Sequence, residues 1–142
     1  MIIERRKTIL IKVLIVDDEE VILEEASETL TEEGYQCFVA SGVKAAVKVI
    51  ETTPGISLIL TDLRMPGESG ADLIKIVEEK FGHDIKFIIM SGHASPSIET
   101  DDIDLELYAF LRKPLDINNL IEMVDSVLDI RNNNFDYKDT YC

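Results

Sequence analysis

The sequence predicts a single α/β domain with a doubly wound parallel sheet, in which helices cover both faces. Two observations predict this class. Short runs of β-branched and leucine residues alternate along the chain with segments of helical periodicity. The runs are almost wholly apolar, as expected of strands that are buried on both faces. The 142 residues, 46% of them hydrophobic, are enough for one domain with its own core.

The first half of the chain contains two predicted strand–helix pairs, and each is followed by a glycine or proline signal. The strands are residues 9–16 and 36–40, and the helices are residues 20–33 and 43–51. Gly34 is expected to end the first helix, because glycine readily adopts the left-handed backbone that follows a helix. The Pro54-Gly55 pair breaks the second helix.

The second half continues the alternation. The strands are residues 57–60, 86–90 and 108–111, and the helices are residues 71–81, 96–106 and 116–130. The helix at 96–106 has weak propensity because it contains several aspartates, whereas Asp116 is a good N-cap for the last helix. The predicted domain covers residues 9–131, with short tails at 1–8 and 132–142.

Charge and composition exclude several classes of function. With 28 acidic and 14 basic residues the formal charge is −14, which argues against binding to nucleic acid or to anionic lipid. No segment has the length and apolarity of a membrane span, and the N-terminal segment lacks a signal-peptide cleavage site. We therefore expect a cytoplasmic protein, in which Cys37 is a buried thiol and Cys142 a tail thiol.

Polar side chains come directly after the predicted strands. They are Asp17, Asp18, Asp62, Ser91 and Lys113. In a parallel sheet these positions meet at the carboxyl edge, where ligands bind. Three neighbouring carboxylates repel one another, and Mg²⁺, which prefers oxygen ligands, would relieve the repulsion. A carboxylate nucleophile beside Mg²⁺, an ammonium and a hydroxyl together suit phosphoryl transfer.

Each of these signals has a structural alternative when it is taken alone. Paired aspartates often cap a helix, an aspartate at a strand end often forms a turn, and a lysine before proline is commonly a surface residue. The joint pattern favours a site, because separate strand ends supply all the parts that one Mg²⁺-phosphoryl site needs.

Four stretches of the chain resemble the receiver domains of two-component response regulators. They are VLIVDDEE at 13–20, LILTDLRMPGESG at 58–70, FIIMSGHA at 87–94 and FLRKPLD at 110–116. The resemblance extends from about residue 12 to residue 130. It implies a flavodoxin-like (βα)5 sheet with strand order 2-1-3-4-5 and a domain that accepts phosphoryl groups without being a turnover enzyme. Pro66 and Gly70 match the loop after the acceptor.

The resemblance also implies roles for the site residues. Asp62 would be the phosphoacceptor. Mg²⁺ would be held by Asp17, Asp18 and Asp62 and by the backbone carbonyl of Arg64, with Asp18 a more direct ligand than Asp17. Ser91 and Lys113 would contact the phosphoryl group.

The resemblance further implies a conformational switch. Ser91 and Phe110 would be the switch residues, and the peptide bond between Lys113 and Pro114 would be cis. Phosphorylation would change the face formed by the fourth predicted helix, the fifth strand and the last helix. His93 is weighed equally as a neighbour of the site and as a plain loop residue, whereas His83 is expected on a surface loop.

The resemblance also implies partners for this chain, and other functions remain as alternatives. The expected donor is a histidine kinase or phosphotransfer protein, and the downstream effector is unknown; activation could produce a homodimer. The chain would act alone or as part of a longer regulator or hybrid kinase. A hydrolase with an aspartate nucleophile is disfavoured, because Arg64 stands where that class has its general acid. The last alternative is a degenerate receiver that serves only as a binding module.

Overall fold

The computed structural model describes residues 10–92 and 107–128, which form a parallel sheet with helices on both sides. The strands are β1 (Lys12–Val16), β2 (Gln36–Ala40), β3 (Ile56–Asp62), β4 (Lys86–Ser91) and β5 (Ala109–Arg112). The helices are α1 (Glu20–Glu32), α2 (Val43–Thr52), α3 (Gly70–Phe81) and the C-terminal helix (Ile117–Leu128). The strand order is β2-β1-β3-β4-β5 and every pairing is parallel, which confirms the predicted fold class.

Two hydrophobic cores lie on opposite faces of the sheet. Because successive side chains of a strand point to opposite faces, Leu14 and Val16 of β1 pack with α2 and α3, whereas Val13 and Ile15 pack with α1 and the C-terminal helix. The central strands β1, β3 and β4 are therefore buried on both sides, which accounts for their nearly continuous apolar sequence.

Local sequence signals set the ends of the helices. Gly34 has a φ of 99° and follows α1; the Tyr35 N–H donates to Leu30 O, which closes the helix end as predicted. Asp116 accepts a hydrogen bond from the Asn119 N–H at 3.0 Å and so caps the C-terminal helix, again as predicted.

α3 begins with a capping box that the sequence analysis did not predict. The Asp72 N–H donates to Ser69 Oγ at 3.1 Å, and the Ser69 N–H donates to Asp72 Oδ2 at 2.8 Å. The S-x-x-D pattern at 69–72 was the available signal. Both residues fix where the chain turns into α3, directly after the loop that follows β3.

Several predicted boundaries shift. β1 starts at Lys12 rather than at residue 9, and β5 is displaced by one residue. β3 extends past residue 60 by two polar residues, Thr61 and Asp62, because Thr61 pairs with both β1 and β4 and Asp62 pairs with β4. The predicted helix at 96–106 and both predicted tails lie outside the described residues.

Two further predictions concern the cysteines and membrane-spanning segments. Cys37 is only half-buried, and burial raises the pKa of its thiol although a hydrogen bond with Thr31 opposes the shift. Cys142 lies outside the described residues. Within residues 10–92 and 107–128, every helix falls short of the length and apolarity that crossing a bilayer requires.

Candidate functional site

Backbone hydrogen bonds continue past the ends of the strands and fix the carboxyl edge of the sheet. The Leu63 N–H donates to Met90 O at 2.9 Å, one residue beyond the end of β3. The Lys113 N–H donates to Ser91 O at 2.9 Å, one residue beyond the end of β5. Asp62 directly precedes the first of these hydrogen bonds, and Lys113 makes the second. Hydrogen bonds to the neighbouring strand therefore hold the backbone at both residues.

Lys113 is the cation that joins the acidic side chains of this edge. Its Nζ lies 2.7 Å from Asp17 Oδ2, 3.2 Å from Asp62 Oδ1 and 3.6 Å from Glu19 Oε1. Asp17 is fully buried and Asp62 is 6% exposed, so both pairs have little access to water. Attraction between charges is stronger in such surroundings than at an open surface.

Three carboxylates cluster beside Lys113. Oxygen atoms of Asp17, Asp18 and Asp62 lie within 4.8 Å of one another, with Asp18 exposed and the other two buried. Asp17 Oδ1 accepts a hydrogen bond from the Glu19 N–H at 2.9 Å. The buried Asp17 Oδ2 faces the Lys113 ammonium at 2.7 Å.

This donor set fits a hard cation such as Mg²⁺. All of its atoms are carboxylate oxygens, two of the three carboxylates are buried, and the exposed Asp18 leaves a side open to solvent. Mg²⁺ binds through a few carboxylates and keeps several waters, for which an open side is needed.

The pKa values of Asp62 and Lys113 reflect how closely these charged groups are packed. Burial, followed by the negative charge of Asp17, raises the pKa of Asp62 to about 6, and Lys113 only partly offsets this shift. For Lys113 burial lowers the pKa, but the hydrogen bond and charge of Asp17 and the charge of Asp62 outweigh burial, so that the pKa is raised. The ammonium is therefore charged at neutral pH.

The remaining predicted residues lie at or near this edge. Ser91 ends β4 and is 2% exposed, and Phe110 in β5 is half-buried against the core that includes α2 and α3. Arg64 is exposed, two residues past Asp62. The bond between Lys113 and Pro114 is cis, as the resemblance implies.

The two histidines differ in outcome. His83 is exposed after α3, as predicted, and its Nδ1 lies 3.8 Å from Glu78 Oε2. His93 falls outside the described residues. The sequence reading missed Glu19, which reaches Lys113; its position directly after Asp17 and Asp18 was the available signal.

A groove of about 480 Å³ lies beside this edge, between β5 and the C-terminal helix. Its walls include Phe110, Leu111, Pro114 and Met123. It does not contain the acidic cluster, but Phe110 belongs to both the groove and the core beneath the sheet. The groove and the charged cluster are thus connected through β5.

Comparison with known proteins agrees with this arrangement. The chain matches the response regulator receiver domain family over residues 13–125. It is 30% identical to response regulator RR06 of Streptococcus pneumoniae, covering 82% of this chain and 52% of that protein. It is also 30% identical to sporulation initiation phosphotransferase F of Bacillus subtilis, covering 86% of this chain and 97% of that protein.

Solved structures give the same result. A response regulator receiver protein from Pseudomonas putida has a TM-score of 0.74 and 30% identity, over 84% of this chain and 99% of that one. A CheY-like receiver domain protein from Methanospirillum hungatei has a TM-score of 0.75 and 27% identity, over 89% of this chain and 100% of that one. The chain thus spans about half the length of RR06 but nearly all of the receiver structures that it matches.

Proposed function

Because this chain belongs to the response regulator receiver family of two-component signalling, we propose that Asp62 accepts a phosphoryl group from the phosphohistidine of a partner. The partner would be a histidine kinase or a phosphotransfer protein. Receiver domains are phosphoacceptor signalling domains rather than classical enzymes, and this one would catalyse only its own phosphorylation and dephosphorylation. The observation that carries the proposal is Lys113, whose ammonium contacts the buried carboxylates of both Asp17 and Asp62.

The transfer follows from the side chains at the edge. A carboxylate oxygen of Asp62 attacks the phosphorus, the phosphorus–nitrogen bond of phosphohistidine breaks, and the nitrogen keeps the electron pair. The Lys113 ammonium, now 3.2 Å from Asp62 Oδ1, would turn to a phosphoryl oxygen, and the Ser91 hydroxyl would donate to another. Both groups stabilise negative charge on the group in transit.

The acidic cluster supports a Mg²⁺ requirement. Asp17, Asp18 and Asp62 would hold the ion together with the backbone carbonyl of Arg64. Bound there, Mg²⁺ would supply positive charge beside the acceptor and offset the repulsion among the carboxylates. Burial and the closeness of the three carboxylates, which together raise the pKa of Asp62, favour this assignment over a purely structural acidic cluster.

The output would pass through Ser91 and Phe110. Movement of Ser91 toward the phosphoryl group would leave room for Phe110 to turn inward, which would alter the groove between β5 and the C-terminal helix. That groove is part of the face where a downstream effector would read the state of the switch, and where a second copy could bind in the activated form.

The first experiment is incubation with acetyl phosphate and Mg²⁺, followed by intact mass measurement. We expect the wild type to gain one phosphoryl group, whereas Asp62→Asn should gain none, because it lacks the nucleophilic oxygen. Asp84→Asn is the matched control, since Asp84 is exposed and precedes β4 at the opposite, amino end of the sheet; it should be labelled like the wild type. Equal labelling of Asp62→Asn would refute the acceptor assignment.

A wild type that gains nothing would call for a second donor, because small phosphodonors vary in reactivity. Titration with BeF₃⁻ and Mg²⁺ tests the site without chemistry, and Asp18→Ala should weaken the response. If neither acetyl phosphate nor BeF₃⁻ perturbs the protein, a binding module without phosphorylation becomes the better interpretation.

A further inference from the structure

Gly70, the first residue of α3, lies against the backbone of the proposed acceptor. A Cβ at this position would lie 2.4 Å from the carbonyl oxygen of Asp62 and 3.2 Å from both its carbonyl carbon and Leu63 Cα. Ordinary van der Waals contact begins at 3.4 Å, so one methyl group would overlap Asp62 by about 1 Å. The backbone φ of Gly70 lies outside the left-handed region, so the need for glycine is steric.

Hydrogen bonds and core packing hold both Gly70 and the end of β3 in place. The Gly70 N–H donates to Leu63 O at 2.9 Å, and the Leu63 N–H donates to Met90 O at 2.9 Å, which ties the helix start to β3 and β4. Ala71, Leu73 and Ile74 of α3 are buried in the core behind it. A side chain at position 70 would therefore strain the end of β3 rather than simply displace the helix.

We infer that Gly70 is a positioning residue for phosphoryl transfer, because it lets α3 approach closely enough to hold the Asp62 backbone in place. The inference rests on the proposed function. The Asp62–Leu63 peptide is anchored by the hydrogen bond from the Leu63 N–H to Met90 O, so moving the Asp62 carbonyl away from a Cβ at position 70 shifts the Asp62 Cα, and the carboxylate moves with it. That carboxylate now lies 3.2 Å from Lys113 Nζ, and a shift of about 1 Å would misalign it for attack.

Gly70→Ala tests the inference against two glycine controls. Gly42 is the N-cap residue before α2 and has an extended backbone, and Gly67 lies in the loop before α3 with a φ of 85°; at both positions an added Cβ meets no atom within 4 Å. Gly42→Ala should behave like the wild type. Gly67→Ala should unfold at lower urea because of backbone strain, yet be phosphorylated at the wild-type rate.

For Gly70→Ala we expect the rate of phosphorylation at saturating phosphohistidine donor to fall about 10- to 100-fold, with little change in the donor concentration that gives half the maximal rate. Urea unfolding is measured on the same samples. A purely structural role would instead lower the unfolding midpoint, as in Gly67→Ala, without slowing transfer in the folded fraction. If Gly70→Ala is partly unfolded in buffer, the assay is repeated in trimethylamine N-oxide, which favours the folded state.

A Gly70→Ala variant that is phosphorylated as fast as the wild type would overturn the inference. So would a variant that shows no cooperative unfolding even with the osmolyte, because Gly70 would then be required for the fold itself. Failure of the proposed function looks different. In that case the wild type and Gly42→Ala would also remain unlabelled, and the glycine at position 70 would have no reaction to position.

Discussion

Polar groups are paired differently at the two ends of the sheet. At the amino end, Tyr35 before β2 donates its hydroxyl to Asp125 at 2.5 Å, and Tyr108 before β5 donates to Glu78 at 3.0 Å. Each pair joins a neutral donor to one carboxylate and links two elements of the fold. At the carboxyl end, three carboxylates cluster around the single ammonium of Lys113.

The comparison shows where unfavourable electrostatic energy is concentrated in this fold. Pairs such as Tyr108 and Glu78 bury a polar group with a partner, which stabilises the folded state modestly. The carboxyl end instead keeps Asp62 at a pKa of about 6, which means that its charged form is disfavoured in the folded protein. Unrelieved charge of this kind is expected where a protein binds a cation or a reacting group, and not where a group serves only stability.

The largest expected effect on stability comes from removing the Lys113 ammonium. Lys113→Ala leaves the buried Asp17 and Asp62 carboxylates without compensation, so we expect a loss of about 3 kcal/mol in the free energy of unfolding at pH 7 without Mg²⁺. Urea unfolding measures it. Millimolar Mg²⁺ should recover part of the loss, because the ion would take over the compensation. A loss below about 0.5 kcal/mol, the range of ordinary surface substitutions, would mean that the two carboxylates do not depend on Lys113.

The second prediction has the opposite sign. The folded-state pKa of Asp62 is about 6, above its ordinary value of 3.8, so stability is lost as the pH rises through this interval and the carboxylate is forced to ionise. Asp62→Asn removes that ionisation. The variant should be about 2 kcal/mol more stable than the wild type at pH 7 in the absence of Mg²⁺, and the gain should fade as the pH falls from 6 to about 4.

Asp125→Asn is the matched substitution at the other end of the sheet. Asp125 accepts the hydrogen bond from Tyr35, so replacing its carboxylate should destabilise the protein by about 1 kcal/mol at pH 7. Urea unfolding of both variants, at pH 7 and at pH 4.5, gives the comparison. If Asp62→Asn and Asp125→Asn both destabilise the protein, the proposed contrast between the two ends is wrong.

Much of this arrangement could be predicted from the sequence, for a physical reason. Apolar runs of strand length fix which segments form the sheet, and parallel strands bring their carboxyl ends to one edge. Asp17, Asp62 and Lys113, which belong to three different strand ends, could therefore be placed together from the sequence alone. The capping role of Asp116 and the helix end at Gly34 were equally readable, because each depends on local backbone chemistry.

Other features could not be read because they depend on how the elements pack. Thr61 is polar yet lies inside β3, since it pairs with Val16 of β1 and Ile89 of β4. The reach of Glu19 to Lys113 depends on how the loop after β1 lies relative to the residue that follows β5. The steric demand at Gly70 was hidden in the same way, because the sequence shows only that a glycine follows a serine in a loop.

The smallest predicted effect tests the amino end directly. Tyr108→Phe removes the hydroxyl that donates to Glu78 but keeps the ring, which packs edge-to-face on Phe87 with centroids 6.0 Å apart. We expect a loss of about 1 kcal/mol at pH 7 and an unchanged initial rate of phosphorylation, because the hydroxyl contacts no residue of the acidic cluster.

The same variant predicts a pH dependence. Burial, followed by the hydrogen bond to Glu78, raises the pKa of Tyr108 from 10.0 to about 12. The stability that the hydroxyl contributes is therefore complete below pH 10 and declines as the pH rises toward 12, since the unfolded tyrosine ionises first. The free energies of unfolding of the wild type and Tyr108→Phe, measured in urea, should thus differ more at pH 7 than at pH 11. A constant difference would show that the ring, and not its proton, distinguishes the two proteins.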